Sequence, residues 1–259
     1  MTRTLLTAPL TLYCAAGGSD SNPGTAALPK LNAQAAVDAL YNNYDMQGFA
    51  CTIDISNNQT QQCSMSGPLV GMDQITFNFS APNLTWLTTT HCFVLAEKAI
   101  AVLTGYPVTF VPDYPTAAGG KSAFYLHNDC TIDIFNGQNL VSGQAAGDTA
   151  IEADGPAIVT VQSGFLLEGL LQPAFLAHRN SNWTISGTMN FNSTNVKLYD
   201  WRSGSSLNLN ASYGSTSGCV LAGSTVTGNA VVNSNGTKTS IPGGITASTG
   251  GQINDSGSI

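Results

Sequence analysis

The chain has 259 residues, 42% of them hydrophobic and only 9% charged, which provides material for a core and lacks the charge excess that keeps chains disordered. Eight basic residues stand against fifteen acidic ones, and a net charge of −7 leaves no cationic stripe for nucleic acid or anionic membrane surfaces. Every apolar run is interrupted well before the roughly eighteen residues that a spanning helix needs, and serine, threonine and asparagine, 74 residues in all, predict a surface of uncharged hydroxyls and amides.

Met1-Thr2-Arg3, the leucines from Leu5 to Leu12 and Cys14-Ala15-Ala16 have the outline of a signal peptide. Pro9 breaks the apolar stretch, however, and Leu10-Thr11-Leu12-Tyr13 alternates as a strand does, so a strand is expected here. Gly17 to Thr25 is dense in turn-forming residues and reads as a structured loop. Asp20 and Asn22 could offer oxygens to calcium, but in such a turn these side chains are expected to bond backbone, and no metal or cofactor is assigned. Leu31 to Tyr44 carries the one helical periodicity, with Leu31, Ala35, Ala36, Ala39, Leu40 and Tyr44 recurring near 3.6 residues and Gly48 beyond the end.

From Cys51 the pattern becomes short alternating strands, Cys51 to Ile55 and Ile75 to Phe79 first. Pairs of strands flanking a polar corner then begin at Phe93, Phe124, Ala150, Phe175 and Val196, in steps of 31, 26, 25 and 21 residues. A further strand is expected from Cys219 to Ala222. Such steps describe a coil with a variable turn, in which each rung is too small to bury its inner face and stacking closes a continuous apolar column. A β-sandwich is the competing architecture. Its hairpins favour Asn-Gly or Asp-Gly turns, of which the chain has only Asn136-Gly137, Asn235-Gly236 and Asp154-Gly155.

The expected fold is therefore all-β: a single-stranded right-handed parallel β-helix, or solenoid, with a short N-terminal capping helix. Residues 1–50 supply strand, turn and cap, 51–233 the β-helix, and 234–259 a Gly/Ser/Thr-rich tail. The six cysteines show no metal-ligand spacing and are expected to be buried small apolar residues. Eight Asn-x-Ser/Thr sequons, from Asn58 to Asn254, follow from a composition rich in those residues.

Leu10-Thr11-Leu12-Tyr13, Gly18-Ser19-Asp20-Ser21-Asn22-Pro23-Gly24-Thr25 and Pro29, leading into an alanine-rich helix, resemble the entry segment of pectate-lyase-like right-handed β-helix proteins. Within that group, Thr4 to Tyr13 is similar to tail-fibre and spike proteins of bacteriophages and prophages, as are Ser66 to Gly71 and Pro242-Gly243-Gly244 to Thr249-Gly250-Gly251. The resemblance implies a virion-surface protein assembled in the host bacterial cytoplasm. It also implies a homotrimer that meets other virion proteins and a host-cell surface polysaccharide.

The corners point to where a sugar would sit. They hold Glu97 and Lys98, His127 and Asp129, Glu152 and Asp154, His178 and Arg179, then Asp200, Trp201 and Arg202; ten of the 26 charged or histidine residues fall there. Stacked in register they would form one polar ledge. Carboxylates and amides would bond sugar hydroxyls, with Tyr199 or Trp201 beneath the ring. The residues singled out as a glycan site are Glu152, Asp154, His178, Arg179, Tyr199, Asp200, Trp201 and Arg202. The same corners would also serve as solvated surface or subunit contact. Acidic pairs such as Glu152 with Asp154 or Asp129 meet the spacing of a glycosidase, but any solenoid with acidic corners offers such pairs, so no catalytic residue is assigned. The expected role is a non-enzymatic fibre or spike subunit, the alternatives being a polysaccharide depolymerase and a capsid-decoration or head-fibre protein.

Overall fold

The computed structural model describes residues 2–72, 74–112, 121–135, 137, 139–142, 149–162, 164–168, 174–192, 194–197, 199–202, 204–215, 220–222, 224–226, 231–234, 245–247 and 252–255. Their chain winds into a parallel β-solenoid with one short helix. Three strand stacks form its faces. The first face runs through Leu10–Cys14, Cys51–Ile55, Gln74–Phe79, Ile100–Gly105, Cys130–Ile134, Ala157–Val161, Asn182–Asn192, Ser206–Ser215, Val231–Ser234 and Gln252–Asp255. The second stacks Leu84–Thr88, Val108–Pro112, Asn139–Ser142 and Phe165–Glu168. It joins the first through Asn182–Asn192, whose beginning pairs with Ala157–Val161 and whose end pairs with Phe165–Glu168. The third stacks Cys63–Ser66, Phe93–Ala96, Ser122–His127, Thr149–Asp154, Phe175–His178, Tyr199–Trp201, Ser224–Val226 and Ile245–Ala247. From Cys51 onward, partners on the first face lie 21 to 31 residues apart in the chain, the extremes being Val231↔Gln252 and Ile100↔Thr131, whereas Leu10 and Cys51, with the helix between them, are 41 apart.

Alternation along each strand builds the core. Ile75, Ala101, Ile132, Val159, Trp183 and Leu207 form one inward register column, and all are fully buried. Aromatic rings fill the centre: Phe93 and Phe124 stack at 5.5 Å on successive turns, and Phe110 meets Phe124 edge-on at 4.8 Å. Outward, the first face presents a column of Thr11, Thr52, Thr76, Val102, Asp133, Thr160, Thr184 and Asn208. Neighbouring turns bond through such side chains, as when Asn78 Nδ2 donates to Asp54 Oδ2 at 2.7 Å and Ser206 Oγ to Asn182 Oδ1 at 2.8 Å. Hydroxyls and amides both donate and accept, so a parallel stack can repeat them without the repulsion that stacked charges would bring.

The turn from the third face back to the first places consecutive residues in the left-handed region. Glu97 and Lys98 (φ 54° and 71°), Asn128 and Asp129 (61° and 63°), and Arg179 and Asn180 (52° and 67°) share this conformation on different turns of the coil. Backbone bonds tie these corners together, Gly67 N donating to Ala96 O and Lys98 N to Asn128 O, both at 3.1 Å. At the turn between the first and second faces Gly105 has φ 91°, and a Cβ there would lie 2.3 Å from the carbonyl oxygen of Phe79.

The helix spans Ala33–Asn43, slightly shorter than the sequence pattern, because Tyr44–Asp45 turns into a strand that pairs with Thr4–Leu5. Its buried residues, Ala33, Ala36, Val37, Ala39 and Leu40, pack on Leu10–Cys14, Cys51–Ile55 and Cys63–Ser66 and so close one end of the stack. No side chain of the helix caps its start. Gln59 Oε1 does so instead, accepting the first helical N–H, that of Ala33, at 2.8 Å, while the Asp20 carboxylate anchors the entry to the helix, accepting the Leu31 and Asn32 backbone N–H groups (3.2 and 2.9 Å) and Asn32 Nδ2 (2.8 Å). Asn22 Nδ2 bonds the Pro29 carbonyl. The Asp20–Asn22 turn thus serves its own backbone.

Sheet pairing continues through all three expected segments, which together read as one structural domain. Leu10–Cys14 is already a rung, paired with Cys51–Ile55, and Ile245–Ala247 and Gln252–Asp255 in the tail pair with Ser224–Val226 and Val231–Ser234. Cys14, Cys51, Cys63, Cys92 and Cys130 are buried, and burial pushes the thiols of Cys14 and Cys130 up to about 12. Cys219, Asn136, Asn235 and Gly236, and the Pro242–Gly251 segment apart from Ile245–Ala247, lie outside the described residues. No helix among the described residues is long and apolar enough to cross a membrane.

Candidate functional site

The third face brings ionisable and aromatic groups of successive turns together. Its outward register column reads Ser64, Val94, Tyr125, Glu152, Leu176 and Asp200, one residue per turn at about 4.8 Å. Beside it, at the strand ends, Asp154 pairs in register with His178, and His127 ends the strand that carries Tyr125.

Tyr125 is the centre of this ledge. The His91 ring stacks on it at 4.8 Å and 20°, and the His127 ring lies at 5.6 Å and 33°. Ser122 backbone N–H donates to His91 Nδ1 at 2.9 Å, which leaves the imidazole proton on Nε2 and fixes the ring beneath the tyrosine. Burial, with the nearby Lys121 charge, lowers His91 to about 4, so it is a neutral ring at pH 7. The Tyr125 hydroxyl is raised from its usual value, first by burial and then by the charges of Asp154 and Glu152.

The carboxylates are oriented from within. Ser122 Oγ donates to Glu152 Oε2 at 2.9 Å, and because that uses the only Ser122 hydroxyl proton, the Thr149 hydroxyl must donate to Ser122 Oγ at 2.7 Å. Ser122 and Thr149 are buried, so this relay holds the half-buried Glu152 from behind. Asp154 Oδ1 lies 3.3 Å from Nε of the exposed Arg179. One carboxylate thus meets a hydroxyl and the other a guanidinium.

Of the eight residues picked out in the sequence, Glu152, Asp154, His178 and Arg179 stand on this ledge. Tyr199 belongs to the Tyr199–Trp201 strand, and its side chain lies outside the described residues. Trp201 is corrected: it is not a surface platform but a core residue with no exposure, following Ala177 in an inward column, its ring 5.2 Å from Trp183. Asp200 is corrected as well. It is 3% exposed and gripped by Arg202 through Nε at 3.1 Å and Nη2, a pair that closes the corner rather than facing a ligand. The cause is one misread rung: the paired strand begins at Tyr199, not Val196, so Asp200 and Trp201 belong to the strand and the corner starts at Arg202.

Tyr125, His91 and Ser122 are the residues that the sequence pattern passed over. The three histidines are distant in the chain, yet the 31-residue step that puts Phe93 beside Phe124 also brings His91 to Ser122. Two open grooves of about 430 and 490 Å³ lie at the helix end, lined by groups such as Asp20, Lys30 and Asp38 in one and Asn57 and Asn83 in the other. Lys30 in the first donates to the Asp20 and Asn22 carbonyls, so it supports the loop. No family model, curated protein or solved structure matches the chain.

Proposed function

We propose that the chain is a virion-surface fibre or spike subunit whose third face holds a host-cell surface glycan without cleaving it. The reading is supported by one observation above the rest: Tyr125, flanked by His91 and His127, shares an outward strip with Glu152 and Asp154, and a buried hydroxyl relay orients the first of these carboxylates. Sugars are recognised by this combination, acceptors for hydroxyls beside an aromatic body, on a scaffold rigid enough to limit ordering losses. A ledge that climbs one turn every 4.8 Å or so is also matched to an extended chain of sugar rings. The attachment to a virion, the homotrimer and the contacts with other virion proteins rest on the resemblance of the entry segment.

The test is adsorption of the purified chain to host-cell surface polysaccharide, comparing the native protein with Tyr125→Ala and His127→Ala. The expected result is at least a tenfold loss of binding with melting unchanged for His127→Ala. Undiminished adsorption in both variants would remove the ledge. New reducing ends or an ultraviolet-absorbing unsaturated product after incubation would instead make the protein a depolymerase.

A further inference from the structure

We infer that the ledge takes polysaccharides whose repeating units carry no acid group, an inference that rests on the glycan-binding reading above. Recognition of a polyanionic glycan calls for guanidinium or ammonium groups free to fork onto carboxylate or sulfate. Here each arginine of this face already stands beside a carboxylate: the ion pairs among the described residues are Arg179 with Asp154, through Nε alone, and Arg202 with Asp200. Arg202 binds its aspartate through two nitrogens, and that aspartate is buried.

Glu152, by contrast, is held by a neutral hydroxyl, so its charge stands beside Tyr125 with no ion-pair partner among the described residues. The groups around Tyr125 are Glu152 and Asp154 on the negative side and Arg179 on the positive, with His91 neutral. Further along the ledge are the carboxylates of Glu97 and Asp129 and the ammonium of Lys98, and Lys121 lies near His91. Glu97 is itself an acceptor, taking the Ser66 hydroxyl at 2.8 Å. An acid group on each repeat would come up against these carboxylates in turn. A like-charge contact at about 5 Å weakens binding about fourfold even at the dielectric of water, so two such contacts exceed tenfold. Neutral hydroxyls meet the same carboxylates as donors and incur no such repulsion.

The experiment is a panel of immobilised bacterial surface polysaccharides, half with uronate or sialate repeats and half neutral, read by binding of the full chain and of Glu152→Gln. Glutamine keeps an acceptor oxygen for Ser122 and loses the charge. The expected result is that the polysaccharides bound are neutral ones, at least tenfold ahead of any acidic one, and that Glu152→Gln narrows this gap about fourfold or more. Preferential binding of acidic repeats by the native chain, or a gap unmoved in Glu152→Gln, would overturn the inference and leave the glycan reading standing. Binding of neither class by the folded chain would overturn that reading, and the inference with it.

Discussion

Replacement of Trp201 by alanine separates a core residue from a surface platform. The side chain has no exposure, and its neighbours in the inward column are small, Ala177 following Ala153, so the indole fills space that nothing else occupies. An indole buries on the order of 200 Å², which at about 25 cal/mol per Å² sets an upper bound near 5 kcal/mol. Measured truncations of buried aromatics fall at about 3–5 kcal/mol, since the cavity adds to the lost transfer energy. For a chain of this length that corresponds to a fall in Tm of roughly 10 °C. Because each turn of a solenoid contacts only its neighbours, the loss should start locally, and Trp183, 5.2 Å away, should report it by fluorescence before the other turns melt. Trp201→Phe should lose less than half as much. The assay is thermal unfolding followed by circular dichroism and tryptophan emission. A Trp201→Ala protein that melts within 2 °C of the native chain while losing glycan adsorption would refute the inward placement and restore Trp201 to the ledge.

Acid should destabilise the protein through His91. Its folded value of about 4 lies below the unfolded value of 6.5, so only the unfolded chain takes up the proton between these pH values. Stability should fall from pH 6.5 to about 4 by on the order of 1–2 kcal/mol after allowance for solvent screening, and His91→Gln should remove that slope in denaturant titrations across the range. Asp20→Ala removes three hydrogen bonds at the entry to the helix and should cost about 1–2 kcal/mol in chemical unfolding, whereas Asp20→Asn should recover part of it. Lys98→Gly relieves a left-handed corner at φ 71° and should raise stability by up to about 1 kcal/mol; a lower Tm would show that its side chain supports the corner.

The sequence by itself determined the repeat. Alternation within strands, the 31-residue step from Phe93 to Phe124, and the near absence of tight hairpin turns identify a parallel coil, because stacking has to bring inward apolar residues of successive turns together. The capping helix was legible for the same reason, its alanines and Leu40 recurring at the helical period. The ledge was legible in part: Glu152, Asp154, His178 and Arg179 flank corners whose period the pattern gives. What only the tertiary structure decided is register in the later turns and the partners across turns. A strand side chain reverses direction with every residue, so a rung displaced by a few positions, Val196 in place of Tyr199, was enough to carry Trp201 from the core to the surface and Asp200 from a buried ion pair to a ligand site. Tyr125 acquires its meaning from His91 on one neighbouring turn and Glu152 on the other, and contacts between turns depend on how much chain each loop takes up, which local sequence does not specify.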